Sequence, residues 1–125
     1  MTEPRATRLL VIDDDESLLE VFQLTMTREG FEVAEAADGL KGLAKIAVFK
    51  PDVIVLDLMM PNLNGFETIH RLQREGFGNI PVIVITGYSD RANVHILRQE
   101  PNVVEFLVKP IDYASLAASI RKLLA

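Results

Sequence analysis

The sequence predicts a doubly wound α/β domain: a five-stranded parallel sheet of order 2-1-3-4-5 with five helices packed on its two faces. Three observations predict it. Short apolar runs alternate with helix-patterned stretches five times along 125 residues, with no linker, repeat or low-complexity segment between them. The runs at 53–56 and 81–86 are apolar at successive positions, which marks strands covered on both faces. Right-handed crossovers place helices on both faces only where the strand order reverses, and the small five-stranded solution reverses between the first and third strands.

Residues 1–8 are polar and are expected to form a flexible tail ahead of a domain over 9–125. The first strand, 9–12, runs into four acids: Asp13, Asp14, Asp15 and Glu16. Residues 17–29 carry Leu18, Phe22 and Met26 on one helical stripe with Leu19 beside it, and Gly30 follows as the C′ residue. Residues 31–36 alternate more weakly, Phe31, Val33 and Glu35 against Glu32, Ala34 and Ala36, which suits an edge strand. Asp38 is the N-cap of a second helix over 40–49, which Pro51 ends. The third strand, 53–56, leads into Asp57. A third helix over 65–75 turns Phe66, Ile69 and Leu72 inward and leaves through Gly76 and Gly78. After the fourth strand, 81–86, Ser89 or Asp90 caps a helix running to about Gln99, where Pro101 forbids continuation. The fifth strand, 103–108, is broken by Lys109 and Pro110. Asp112 or Tyr113 then starts a last helix that turns Leu116, Ile120 and Leu123 inward.

Bulk chemistry narrows the function. A chain of 125 residues is one domain that buries a core without staples. With no cysteine there is no disulfide framework, thiolate nucleophile or Cys-based metal site. The start, M-T-E-P-R-A-T-R, has no apolar core of a signal peptide, and no run approaches the roughly 20 residues that span a bilayer. A cytoplasmic protein without membrane attachment is the expectation. The net charge of −5 argues against direct nucleic-acid binding, which leaves a basic footprint.

The polar residues at the carboxyl ends of the strands collect on one rim: Asp13 and Asp14 after the first, Asp57 after the third, Thr86 after the fourth and Lys109 after the fifth. Each has an ordinary role open to it. Asp13 to Glu16 fit an acidic helix start, Asp57 an Asx turn, Thr86 a strand end and Lys109 a solvated loop. Three carboxylates gathered at one point, however, repel one another unless a cation or proton intervenes. An all-oxygen set of this kind suits Mg²⁺, which keeps several waters and takes phosphoryl oxygens as further ligands. A hydroxyl and an ammonium suit the same oxygens. The residues thus point to Mg²⁺-assisted phosphoryl chemistry with Asp57, the most central acid, as nucleophile. His70 and His95 read as solvated surface histidines, and Met59 and Met60 as apolar filling of the loop after Asp57.

V-I-D-D-D-E, D-L-M-M-P-N-L-N-G, V-I-V-I-T-G and F-L-V-K-P, in this order and spacing, resemble the receiver domain of two-component response regulators, chemotaxis-regulator-like in form, over essentially the whole chain. The resemblance implies a flavodoxin-like fold and a phosphoprotein that works in a phosphorelay. It makes Asp57 the acceptor of a phosphoryl group from a histidine kinase or phosphotransfer protein. It places Mg²⁺ on Asp13, Asp14, Asp57 and the backbone carbonyl of Met59, and sets Thr86 and Lys109 on the phosphoryl oxygens. Thr86 and Phe106 become the switch that reports to the face of the fourth helix, fifth strand and fifth helix, the surface for an output partner or a homodimer. The Lys109–Pro110 bond is implied to be cis. Any catalysis is limited to self-phosphorylation from small phosphodonors and slow autodephosphorylation. The chain departs from the common pattern at Phe106, which lacks a tyrosine hydroxyl, at Gly87 after Thr86, and at the helix exit Q-E-P-N-V-V-E. Met59 and Tyr88 stand at positions that tune phosphoryl lifetime in the family.

Two rivals belong to other classes. L-L-V-I-D-D-D resembles the nucleophile motif of haloacid-dehalogenase-type phosphatases, with Asp13 as nucleophile and Asp15 as acid/base, but leaves Asp57 without a role and lacks a later acidic pair. A flavin-phosphate binder needs a Ser/Thr/Gly cradle in the first loop, which here is acidic. A receiver-like module that no longer takes phosphate is a third reading, and the intact set of site residues argues against it.

Overall fold

The sheet is built from β1 (Arg8–Ile12), β2 (Glu32–Ala36), β3 (Val53–Asp57), β4 (Val82–Thr86) and β5 (Val103–Val108). The helices are α1 (Glu16–Arg28), α2 (Gly39–Phe49), α3 (Gly65–Arg74), α4 (Arg91–Leu97) and α5 (Tyr113–Leu124). The computed structural model describes residues 5–60, 63–87 and 91–125. The expected caps of the fourth helix, Ser89 and Asp90, and the neighbouring Tyr88 lie outside the described residues. The strands are all parallel in the order β2-β1-β3-β4-β5, so the predicted reversal between β1 and β3 is present. No helix of the described residues is long and apolar enough to cross a membrane.

Alternation along the central strands divides the core in two. Leu9, Val11, Val53, Val55, Ile83 and Ile85 face α1 and α5, where they meet Phe22, Met26, Leu116 and Ile120. Leu10, Ile12, Ile54, Leu56, Val82 and Val84 face the other way, against Ile46, Ile69 and Leu72 of α2 and α3 and Leu97 of α4. Burial of each such side chain contributes about 1.5–3 kcal/mol. β2 has one neighbour only and is the edge strand its weak alternation predicts.

Side-chain caps fix where the helices start. Asp15 Oδ1 accepts from the N–H groups of Ser17 and Leu18 at 3.0 and 3.2 Å. Asp38, Asn64 and Asp112 accept from Lys41, Glu67 and Ser115 in the same way. Gly30, at φ 97°, makes the left-handed exit from α1 that a side chain would resist. Of residues 5–8 in the expected tail, Arg5 is paired with Asp52 at 2.7 and 2.9 Å and Arg8 opens β1.

Three expectations are corrected. Leu19, rather than Leu18, forms the fully buried stripe of α1 with Phe22 and Met26, because i, i+3, i+7 spacing from Leu19 centres on the core. α4 ends at Leu97, before Gln99. The N–H groups of Gln99 and Glu100 donate to Ile96 and Leu97, and these shorter-range bonds tighten the chain out of the helix. Leu123 is 39 % exposed, since α5 buries Leu116, Ala117 and Ile120 and its last turn runs on past them.

One glycine is required by close approach. The Gly65 N–H donates to the Leu58 carbonyl at 2.9 Å, so α3 starts against the chain that leaves β3. A Cβ on Gly65 falls 2.7 Å from the Leu58 Cα, a backbone atom that cannot swing away. Alanine favours a helix by up to about 1 kcal/mol over glycine, which is smaller than the cost of overpacking a fixed contact. Gly65→Ala is therefore expected to lower stability by about 1–3 kcal/mol, read as a lower urea midpoint at unchanged slope. An unchanged or higher midpoint would mean that α3 shifts off Leu58 at no cost.

Candidate functional site

Parallel strands end on the same side, and four of them deliver the predicted residues to one rim. Asp13 directly follows β1, Asp57 is the last residue of β3, Thr86 the last of β4, and Lys109 directly follows β5. β3 keeps pairing through Asp57, opposite Ile85, so this acid is fixed by a sheet ladder and not by a loose turn. The Lys109 N–H donates to the Thr86 carbonyl at 3.0 Å, which ties the ends of β4 and β5. The Lys109–Pro110 peptide is cis. Asp13 and Asp57 are buried, at 0 % and 5 % exposure, Thr86 is buried as well, and Asp14 is exposed.

Carboxylate oxygens of Asp13, Asp14 and Asp57 lie within 4.8 Å of one another. Lys109 Nζ reaches both buried acids, Asp13 Oδ2 at 3.1 Å and Asp57 Oδ2 at 3.6 Å. Asp13 Oδ1 accepts from the Asp15 N–H at 2.9 Å, which aims the carboxylate. Among the described residues its fully buried Oδ2 receives no well-directed hydrogen bond and makes a charge contact with Lys109. A buried carboxylate oxygen without a directed donor, beside two further carboxylates, fits a hard divalent cation. Of the four acids after β1, Asp15 is the helix cap, and the bland reading therefore leaves Asp13 and Asp14 unexplained. The same cap occupies the residue that the phosphatase reading needs as acid/base.

The electrostatics follow from burial and crowding. Burial, and next the charge of Asp13, push the Asp57 carboxyl up to about 6, against the pull of Lys109 and the Met59 N–H. Burial works to lower the Lys109 ammonium, but Asp13 and Asp57 outweigh it and the group is held above its ordinary value. Tyr113, the first residue of α5, is pushed up by burial and then by Asp13 and Asp15. Its ring meets Phe22 edge-on at 5.9 Å. The sequence marked Tyr113 only as a helix start, and nothing local signals its closeness to the acids.

Other predicted residues fall as follows. Met59 is 61 % exposed and so does not fill the loop, a correction that follows from the chain turning outward after Leu58; Met60 packs on the core as expected. Phe106 is half-buried beneath the Arg98 guanidinium, 5.4 Å from the ring centre. A cavity of ≈ 440 Å³ lies beside it, lined by Thr86, Gly87, Val94, His95, Arg98 and Phe106 among others. His95 is exposed, and His70, also exposed, stands 2.8 Å from Glu100. The Q-E-P-N exit of α4 is held from α3: Gln73 Nε2 donates to Glu100 Oε2 at 2.9 Å and to Asn102 Oδ1 at 2.8 Å. The bonds from Gln73 and then His70 keep the Glu100 carboxyl below its ordinary value.

Fold and rim together define an α/β domain that concentrates acids, a hydroxyl and an ammonium at a strand-order reversal. Residues 9–121 match the response regulator receiver domain family. The transcriptional regulatory protein AfsQ1 of Streptomyces coelicolor is 37 % identical over 93 % of this chain and 50 % of its own length. The DNA-binding response regulator MtrA of Mycobacterium tuberculosis is 32 % identical over 91 % of this chain and 49 % of its own. The chain thus spans about half the length of these curated relatives. Among solved structures, a CheY-like receiver domain protein from Methanospirillum hungatei superposes with a TM-score of 0.85 at 27 % identity, covering 95 % of this chain and 94 % of that one. Chemotaxis protein CheY4 of Vibrio cholerae gives 0.84 at 26 % identity, over 94 % and 98 %. The chain belongs to the response regulator receiver domain family, the receiver module of two-component signalling.

The raised Asp57 carboxyl has a consequence for stability. A carboxyl whose folded value, about 6, exceeds its ordinary 3.8 favours the fold below pH 3.8, and that contribution is lost as pH rises through 6. In metal-free protein near neutral pH, Asp57→Asn is expected to be more stable than the parent by about 1–3 kcal/mol. The advantage should vanish as pH falls to about 4. Urea midpoints of both proteins across this range test it, and a variant less stable at every pH would contradict the assignment of strain to this charge.

Proposed function

We propose that Asp57 accepts a phosphoryl group from a phosphohistidine on a histidine kinase or phosphotransfer protein. The observation that carries the reading is the contact of one ammonium, Lys109 Nζ, with both buried acids, Asp13 and Asp57, inside a cluster of three carboxylates. A carboxylate oxygen of Asp57 attacks phosphorus, the phosphorus–nitrogen bond of the donor breaks, and the imidazole leaves with its electron pair. An acyl phosphate results. Lys109 and the Thr86 hydroxyl bind the transferred phosphoryl oxygens, and burial of Asp57 limits water at the new bond. Asp13, Asp14, Asp57 and the Met59 carbonyl would hold Mg²⁺, which when bound neutralises charge on the carboxylates and the phosphoryl oxygens. The domain's own chemistry is confined to self-phosphorylation from small donors and slow hydrolysis of its acyl phosphate.

In this reading Thr86 moves toward the phosphoryl group, and the cavity beside it gives Phe106 room to follow. Phe106 brings no hydroxyl, so the coupling is one of shape, and Gly87 adds room and backbone freedom at the pivot. The output face is α4, β5 and α5, where Ile96, Val104 and Val108 are exposed apolar residues that an output partner or a second copy would cover. Relatives are named as transcriptional or DNA-binding regulators. At a net charge of −5 this domain is not itself the DNA-binding surface, and we assign it a cytoplasmic relay role.

With Mg²⁺ and acetyl phosphate, the protein is expected to gain one phosphoryl group by intact-mass spectrometry, and Asp57→Asn to gain none. Full labelling of Asp57→Asn with loss in Asp13→Asn, or steady turnover of a phosphate monoester, would favour the phosphatase. Lys109→Ala is expected to keep the fold but to abolish the shifts that beryllofluoride induces in α4 amides by NMR. Normal shifts in that variant would remove Lys109 from the coupling.

A further inference from the structure

We propose that the open edge of β2 is a docking groove for an extended segment of a partner protein with basic residues on one face and apolar residues on the other. The inference is independent of phosphoryl transfer and concerns the side of the sheet opposite β5.

A concavity of ≈ 1110 Å³ runs along this edge between α1 and α2. Pairing of β2 to β1 uses the backbone of alternate residues: the Glu32 N–H donates to Thr7 and the Ala36 carbonyl accepts from Asp13. In a parallel ladder that register turns the N–H and C=O groups of Val33 and Glu35 away from β1, into the groove. Natural edges are commonly closed by proline, lysine, a bulge or a covering element. On β2, E-V-A-E-A, there is no proline, lysine or bulge, and the charges that guard the edge are the acids Glu32 and Glu35. An added strand would find a row of unpaired main-chain groups, which is how β-augmentation gains affinity.

The walls select what enters. Glu35 lies on the α1 side of the sheet with Phe31 and Val33. Glu16 and Glu20 of α1 line the same side. No ion pair engages Glu16, Glu20 or Glu35 among the described residues. The α2 side is small and apolar: Ala34 and Ala36 on the strand, Ala44 and Val48 on the helix, with Val48 84 % exposed. Lys41 and Lys45 at its margin disfavour basic residues there. Side chains of an incoming strand alternate between the two walls, so lysine or arginine faces Glu16, Glu20 and Glu35 while valine or alanine faces Ala44 and Val48. A second copy of this chain is a poor occupant, because two β2 edges would set Glu32 and Glu35 against their own kind.

A fluorescent peptide of alternating lysine and valine tests the proposal. The expected results are saturable binding that weakens with salt, slowed hydrogen exchange at the Val33 and Glu35 amides, and no binding by a glutamate–valine peptide. Glu20→Lys/Glu35→Lys should weaken binding by about tenfold or more. Ala44→Glu, at an exposed helix position on the opposite wall, should block it with the acidic wall intact, and circular dichroism checks both folds. Unchanged affinity in the double variant, protection confined to another surface, or a dimer that Glu35→Lys dissolves would each overturn the proposal.

Discussion

Like charges crowded at one point are what the rest of the domain is arranged to hold. At an effective dielectric of about 20, two carboxylates about 4 Å apart repel by about 4 kcal/mol. That is a large part of a small domain's net stability of about 5–15 kcal/mol. Lys109 offsets this by touching Asp13 and Asp57 together. The offset is incomplete: burial first, and then the charge of Asp13, leave Asp57 preferring its proton at pH values where an ordinary aspartate has lost it. The stress is tolerated because the two acids stand at the ends of strands whose residues, all but Arg8 at the start of β1, are buried. A scaffold of this rigidity keeps the carboxylates together, and their unrelieved charge is what a divalent cation would come to neutralise.

In the proposed relay, the same frame would carry events at the rim to the far face. Lys109 joins the end of β5 to Thr86 through the backbone and to Asp57 through its side chain. Phe106, on β5, lies beneath the Arg98 guanidinium and lines a cavity that Thr86 also lines. The exit of α4 is anchored differently. His70 and Gln73 hold Glu100, and Gln73 holds Asn102, so that α3 fixes the turn. Asn102 is buried, and its Nδ2 has no hydrogen-bond partner among the described residues.

The sequence made the rim legible because each element there obeys a local rule. An apolar run that ends in a polar residue puts that residue at a strand's mouth, and parallel order does the rest. Asp13, Asp57, Thr86 and Lys109 were placed by that reasoning alone. Where contacts are non-local the rules fail. Glu100 and Asn102 meet Gln73 across 27 and 29 residues, and no pattern in Q-E-P-N-V-V-E announces it. Tyr113 approaches Asp13 only because α5 packs on α1. Leu123 and the end of α4 depart from the sequence pattern for a related reason: periodicity says which face is apolar but not where packing stops. The exposure of Met59 depends on how the chain leaves β3, which composition does not encode.

The chemistry of the modified carboxyl gives the most direct test of the central claim. Borohydride reduces an aspartyl phosphate to homoserine and leaves free carboxylates untouched. After phosphorylation from acetyl phosphate and reduction, peptide mapping by mass spectrometry is expected to find homoserine at position 57 and aspartate at positions 13, 14 and 15. Homoserine at position 13 with aspartate at 57 would contradict the account.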